Sequence, residues 1–365
     1  MINLDFMPSR SLALYLVRLF LTRTFAVLVM LVLVLMTLDL LGESGKILAV
    51  PGNRDADLWR YVTLRVPLLI QRFLPFSALL GALITFTALN QHSEVVAMKA
   101  AGLSAHQILA PLMAASLGIA ALAFAFNEGV AVNAARTVNA WDENGYRPIR
   151  TSRGVLSNVW VKADEDLVHA RIASGRGPAL QLEGVTIYER TGGALQRVVK
   201  AERAVQSDGA WRLEQVRTYD SGMNVVRRAA TATAMPGITA DRFTLAKVDA
   251  DERDILTLKR DIADLEEAGR PSDQARAGLW HKVSGPASIV LMPLLAAVAA
   301  FGLARSGQVL LRAAAGMALG FAYFVVDNLS LALGNVGAYP APLAAWAPFV
   351  LFLLIGEAVL VRSEE

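Results

Sequence analysis

Six apolar runs, three on each side of a polar middle, constrain this chain more than any other feature of its sequence. They occupy roughly residues 25–41, 66–89, 108–126, 283–304, 309–333 and 343–361, each close to the ~20 residues an α-helix needs to cross a bilayer. With 55% hydrophobic and only 18% charged residues, the chain is too apolar for a water-soluble globule unless such runs collect the excess. The expected fold is therefore an α-helical membrane protein with six transmembrane helices, three and three, and one domain inserted between the halves. The boundaries follow the same pattern: an N-terminal membrane half over 1–130, an inserted domain with its tethers over 131–279, and a C-terminal membrane half over 280–365.

Basic residues orient such a chain, because loops rich in Lys and Arg stay on the cytoplasmic side. Arg10, Arg18 and Arg23 precede the first run, Lys99 lies between the second and third, Arg305 and Arg312 lie between the fourth and fifth, and Arg362 follows the sixth. The loop over 334–342 carries no charge. Both termini are expected in the cytoplasm and the middle segment outside, which is the periplasm if the membrane is a Gram-negative inner membrane. No small-residue cleavage site follows the first run, so it reads as an uncleaved anchor. The net charge of +3 reflects these basic loops, and nucleic acid is not an expected partner.

The middle changes period. Val159 and Val161, then Val168, Ala170 and Ile172, then Val185 and Ile187, then Trp211 and Leu213 alternate as half-buried strands do, with Gly192, Gly193 and the run 207–209 as turns. This predicts an antiparallel β domain over about 155–246, a small sandwich or jelly roll whose sheets suit holding an apolar chain; a merely structural ectodomain with a closed core fits the pattern equally well. Ile255, Leu258, Ile262 and Leu265 then repeat at helical spacing up to Gly269 and Pro271, and a polar helix over about 132–141 matches it on the other side. Both read as tethers between the domain and the membrane.

No catalytic constellation is present in the sequence. There is no cysteine, and His92, His106, His169 and His281 are too scattered for a zinc-ligand pattern. GESGK at 42–46 resembles a phosphate loop only superficially, since Leu40 stands where the motif needs Gly and Ile47 where it needs Ser or Thr. The chemical signal that remains is charge at membrane depth, which is costly unless it faces protein or water. Asp39 in the first run and Asp327, followed by Asn328, in the fifth are such groups, and Gly316 with Gly320 forms a small-xxx-small pair suited to close helix contact.

The segment FLPFSALLGALITFTALNQHSEVVAMKAAGLSAHQ, 73–107, joins a span without a linker to a short amphipathic piece over about 91–106. Ser77, Ala78, Gly81 and Ala82 would let another helix approach the span. Ser93 and Glu94 stand where an N-cap and a first-turn acid belong, Val95, Val96, Met98, Ala101 and Leu103 provide an apolar surface, and Gly102 ends it. Such a helix suits plugging into a partner's groove; an ordinary loop helix would look the same.

These segments, FLPFSALLGAL and SEVVAMKAAGLS, with GLWHKVSGPASIVLMPLL at the start of the fourth run, resemble the LptF/LptG permeases of the lipopolysaccharide-export ABC transporter over essentially the whole chain. RGVLSNVWVK, GVTIYER and AWRLEQV are most similar to the G-type subunit, and the PRxGR-like sequence of F-type chains is missing after the fourth run. The resemblance implies a periplasmic jelly roll and a heterodimer with an F-type permease subunit. It also implies two copies of a cytoplasmic ATPase that bind ATP and Mg, and hand-over of lipopolysaccharide to periplasmic jelly-roll bridge proteins. It makes this chain a non-catalytic subunit without a cofactor of its own. It assigns ATPase coupling to Ser93, Glu94, Met98, Lys99, Ala101 and Gly102, and a lipid cavity to the first and fifth runs, with Asp39, Gly316, Gly320, Asp327 and Asn328. The family's lysines beyond the acid of the first span are absent, which leaves Lys46, Arg54 and Arg65 as candidates for lipid phosphate or as solvated loop charges. The alternative reading is a mechanotransmitting or sensory membrane protein that moves periplasmic partners without carrying lipid.

Overall fold

In a computed structural model the described residues are 8–147, 155–163, 165–175, 179–192, 194–207, 210–222, 224–244, 248–267, 270–302 and 309–362. Gly193, Gly269, Arg305 and most of the expected turn at 207–209 lie outside them. The elements run α1 (Arg10–Leu48), α2 (Asp55–Gln91), α3 (Glu94–Ala100), α4 (Ala105–Phe126), a π-turn (Asn127–Ala131) and α5 (Val132–Glu143). Six strands follow, β1 (Val155–Ala163), β2 (Asp166–Ser174), β3 (Gln181–Thr191), β4 (Ala194–Ser207), β5 (Ala210–Asp220) and β6 (Val225–Ala234). Then come α6 (Asp241–Thr244), a 3₁₀ turn (Ala250–Glu252), α7 (Ile255–Glu267), α8 (Asp273–Gly302), α9 (Val309–Asn335) and α10 (Ala341–Arg362). Among the described residues, six stretches of helix are long and apolar enough to cross a membrane.

Helix ends differ from the apolar windows, because hydropathy marks where a helix is dry and not where it stops. α1 opens at Arg10, so Arg10, Arg18 and Arg23 lie on its first turns, and Arg23 donates from Nη1 to the carbonyl oxygen of Ile84 on α2 at 2.8 Å. α4 runs through the π-turn into α5, so the tether is continuous with the third span. α8 sits at the centre of the bundle, against α2, α4, α9 and α10, and is the most buried span. α1 and α9 are the least buried, with Met30, Leu33 and Leu41 of α1 and Phe321 and Leu329 of α9 turned outward.

Small residues set how closely the spans approach. Ser77, Ala78, Gly81 and Ala82 are all buried, and a Cβ at Gly81 would overlap the backbone of Thr24 on α1. Gly316 and Gly320 of α9 receive Leu83 and Leu79 of α2 in the same way. The small-xxx-small pair is thus spent on a contact inside the chain.

The expected antiparallel β domain is a six-stranded sheet whose strands neighbour one another in chain order, β1 to β6. Its buried side chains step by two along each strand and then by three at one level. Val168, Ala170 and Ala173 do so on β2, Ile187, Val185 and Leu182 on β3, Val199, Ala201 and Ala204 on β4, and Val216, Leu213 and Trp211 on β5. The steps line up, since Ala173 pairs with Leu182, Leu182 with Ala204 and Ala204 with Leu213. Gly184 (φ 63°) and Gln215 (φ 56°) take the left-handed conformation at the break. A row of such irregularities bends a sheet and keeps one face inward on both sides of the bend. That face packs with Met235, Ile238 and Phe243, and Trp211 donates from Nε1 to the carbonyl oxygen of Ile238 at 2.8 Å.

Candidate functional site

α3 lies between α2 and α4 at the end of the bundle remote from the sheet. Ser93 breaks the chain out of α2 by taking a left-handed conformation (φ 58°), and its hydroxyl makes no capping bond, contrary to the N-cap expected of it. The stop is conventional. Gly102 (φ 89°) lets Leu103 N–H reach the Met98 carbonyl at 3.1 Å and its own N–H reach that of Lys99 at 2.9 Å, a Schellman closure that a Cβ would strain. Ser104 then caps α4, accepting from Gln107 N–H at 3.2 Å while Gln107 Oε1 accepts from Ser104 N–H at 3.0 Å.

Within α3, Val95 and Met98 are buried against the membrane half, while Val96, Ala97, Lys99 and Ala100 are exposed, as are Ala101 and Gly102 beyond it. Met98 therefore seats the helix and does not face outward. Glu94 accepts from Tyr15 Oη of α1 through both carboxylate oxygens, at 3.0 and 3.2 Å. Lys99 Nζ lies 5.4 Å from the ring centroid of Phe301 on α8, within cation–π range. Phe301 in turn meets Phe86 of α2 edge-on at 5.2 Å. His106 Nε2 and Glu357 Oε2 stand 3.2 Å apart, so the start of α4 and the end of α10 share this end with the start of α1.

At the opposite end, the residues expected to meet lipid form two carboxylate–tyrosine pairs. Asp39 accepts from Tyr61 Oη at 2.7 Å and from Arg65 Nε at 2.9 Å, and Glu43 accepts from Lys46 Nζ at 2.7 Å and from Tyr146 Oη at 2.8 Å. Burial first, then its hydrogen bonds to carboxylates, push the Tyr146 phenol well up, so it remains a donor. Arg65 and Lys46 are thus engaged within the chain. Among the described residues Arg54 has no ion pair; it opens α2, its N–H donating to Asp57 Oδ2 at 2.9 Å. GESGK lies inside α1, which excludes a phosphate loop there. Asp327 is buried in α9, and the exposed Asn328 donates back to the Phe324 carbonyl at 2.7 Å.

Where the sheet meets the membrane half, a cavity of about 450 Å³ is lined by Val50, Glu143, Arg147, His169 and Arg171. Burial lowers the His169 pKa, and Trp160 stands over its ring at 4.6 Å between centroids. Further down the helix that carries Glu143, Glu128 on the π-turn accepts from Lys282 Nζ at 2.9 Å and from Ile255 N–H at 2.8 Å, while Arg136 and Asn139 of α5 hold Glu252. Both tethers are fastened to the bundle here. Tyr15, Tyr146, Glu128 and Lys282 carry no sequence signal for these roles, since each partner is remote in the chain. Among the described residues no cluster of His, Asp and Glu has the geometry to hold a metal ion.

Comparison with known proteins agrees with this architecture. The family model described as "Lipopolysaccharide export system permease LptF/LptG" matches residues 14–362. The chain is similar to the lipopolysaccharide export system permease protein LptG of Escherichia coli strain K12, 28% identical over 83% of this chain and 85% of the relative. It is also similar to the LptG protein of Haemophilus influenzae, 27% identical over 86% and 89% respectively. With the family model spanning nearly the whole chain and six membrane-length helices flanking an antiparallel sheet, the chain belongs to the LptF/LptG family of lipopolysaccharide export system permeases.

Proposed function

We propose that this permease works in a Gram-negative inner membrane as the non-catalytic half of a heterodimer. In this reading α3 receives the stroke of two cytoplasmic ATPase subunits that bind ATP and Mg. The termini and α3 are cytoplasmic and the sheet periplasmic, in keeping with the basic residues at the α3 end. Lipopolysaccharide enters between α1 and α9 of this chain and their counterparts in an F-type subunit. Closure then drives it toward the sheet and on to periplasmic jelly-roll proteins. The sparse packing of α1 and α9 supports that interface. A shielded route is required of any such carrier, because each methylene exposed to water costs about 0.8 kcal/mol.

One observation carries the reading: α3 presents an acid and an exposed apolar surface at the end where no part of the sheet lies, in a chain without a nucleotide-binding motif. Energy must then arrive from another protein, and α3 is the element shaped to receive it. Glu94→Arg places a cation where the partner needs an acid. In proteoliposomes holding the full complex, this substitution is expected to cut ATP-driven lipopolysaccharide release by at least about tenfold, the scale of one charged contact reversed. Undiminished release with normal ATPase docking refutes the assignment of α3.

A further inference from the structure

We infer that Tyr15 and Phe301 are the positioning residues through which α3 moves the membrane helices, Tyr15 drawing on α1 and Phe301 on α8. The inference rests on the reading of α3 as the ATPase-coupling helix and adds where its displacement goes. α3 has 7 residues and touches the bundle with Val95 and Met98. Apolar contact is non-directional, so those two side chains seat the helix without fixing how a push on it is passed on. The directional contacts are at its two ends. The Tyr15 hydroxyl reaches both oxygens of Glu94 across 79 positions of sequence, and Lys99 lies over the ring of Phe301 from the C-terminal half.

The two receiving helices are opposite in character. α1 is the least buried span and packs chiefly on α2 and α4, at the rim of the bundle. α8 is the hub against which α2, α4, α9 and α10 pack. A displacement of α3 is thus delivered to a peripheral span of the first half and to the centre of the second. The link need not break when a partner binds. An ionised carboxylate offers about four acceptor positions, and one hydroxyl donor leaves the others for a partner's cation. The backbone junction alone is a poor transmitter, because Ser93 turns the chain sharply between α2 and α3.

The test uses the full complex of this chain, a second permease subunit and the ATPase in proteoliposomes containing lipopolysaccharide. The chain has no cysteine, so one introduced at Leu41, which is 72% exposed on α1, carries a single spin label. Tyr15→Phe keeps the ring and removes only the hydroxyl. It is expected to reduce both the ATP-dependent change at the label and the lipid released per ATP hydrolysed by roughly three- to tenfold, as loss of one hydrogen bond to a charged group allows. Phe301→Leu is expected to lower release per ATP while leaving the label response of α1 in place. Leu14→Ala, at an exposed neighbour of Tyr15, serves as the control. A Tyr15→Phe complex with unchanged label response and unchanged release per ATP overturns the Tyr15 link, and unchanged release in Phe301→Leu overturns the other. If the unsubstituted complex moves the label with ATP but releases no lipopolysaccharide, the cargo assignment fails while the label still decides the link.

Discussion

Among the described residues, several acids are held by partners far away in the chain. Asp39 holds Tyr61 and Arg65, Glu43 holds Lys46 and Tyr146, Glu94 holds Tyr15, and Glu128 holds Lys282. The last pair is the most demanding, since the Lys282 side chain is 3% exposed and Glu128 22%. Removing one member of a buried pair leaves an uncompensated charge, which costs far more than the pair itself contributes. Glu128→Ala is expected to destabilise the detergent-solubilised protein by about 3–5 kcal/mol, seen as a lowered melting temperature by circular dichroism. Glu128→Gln combined with Lys282→Met recovers most of that loss, because Gln still accepts from Ile255 N–H and Met fills the lysine's volume. A double variant no more stable than Glu128→Ala contradicts the account. Apart from Glu43 and Lys46, neighbours one turn apart on α1, none of these pairs was legible in the sequence. Asp39 and Asp327 stood out because they interrupt apolar runs, but their neighbours come from other helices and leave no trace in local spacing.

Helices and strands were easier to foresee than their ends. The spans, α5, α7 and the strands at Val159, Val168, Val185 and Trp211 follow from periodicity, because a helix or strand with one dry face must repeat apolar residues at its own period. The N-terminal extension of α1 to Arg10 was missed, since a helix in water-exposed headgroup territory tolerates arginine freely. The π-turn was missed because it is written in hydrogen bonds and in no particular residue type. The small residues of α2 were read correctly as an approach site, though not for which helix. Gly81 meets Thr24 backbone atoms, which cannot yield as a flexible side-chain tip can. Gly81→Ala is therefore expected to pry α1 from α2 at a cost of about 1–3 kcal/mol, measured as a fall in melting temperature. Ala82→Gly, in the same turn, adds no atom and serves as the comparison.

For the molecule as a whole, the unequal packing of its spans is the property on which the proposed transport route rests. α8 is wrapped by its own chain, whereas α1 and α9 leave long apolar faces for lipid or a second subunit. In the complex, a cysteine in place of Leu33 on α1, 63% exposed, is expected to cross-link to the second permease subunit with a short bifunctional reagent. One in place of Leu294, buried within α8, is not; equal yields at both sites contradict the interface. Length and hydropathy alone settled that the chain has six spans around a polar domain, because burying ~20 backbone amides in hydrocarbon leaves a helix as the only solution. The alternation of Val, Ile and Trp likewise settled that the domain is an antiparallel sheet, and the motif at Glu94 marked a short helix between α2 and α4. The sequence did not contain the alignment of the step-of-three seam across the strands, the packing order of the helices, or the ties of α3 to Tyr15 and Phe301. Each of these joins residues of different strands or helices, and such contacts exist only once close packing has chosen among many apolar surfaces of similar character.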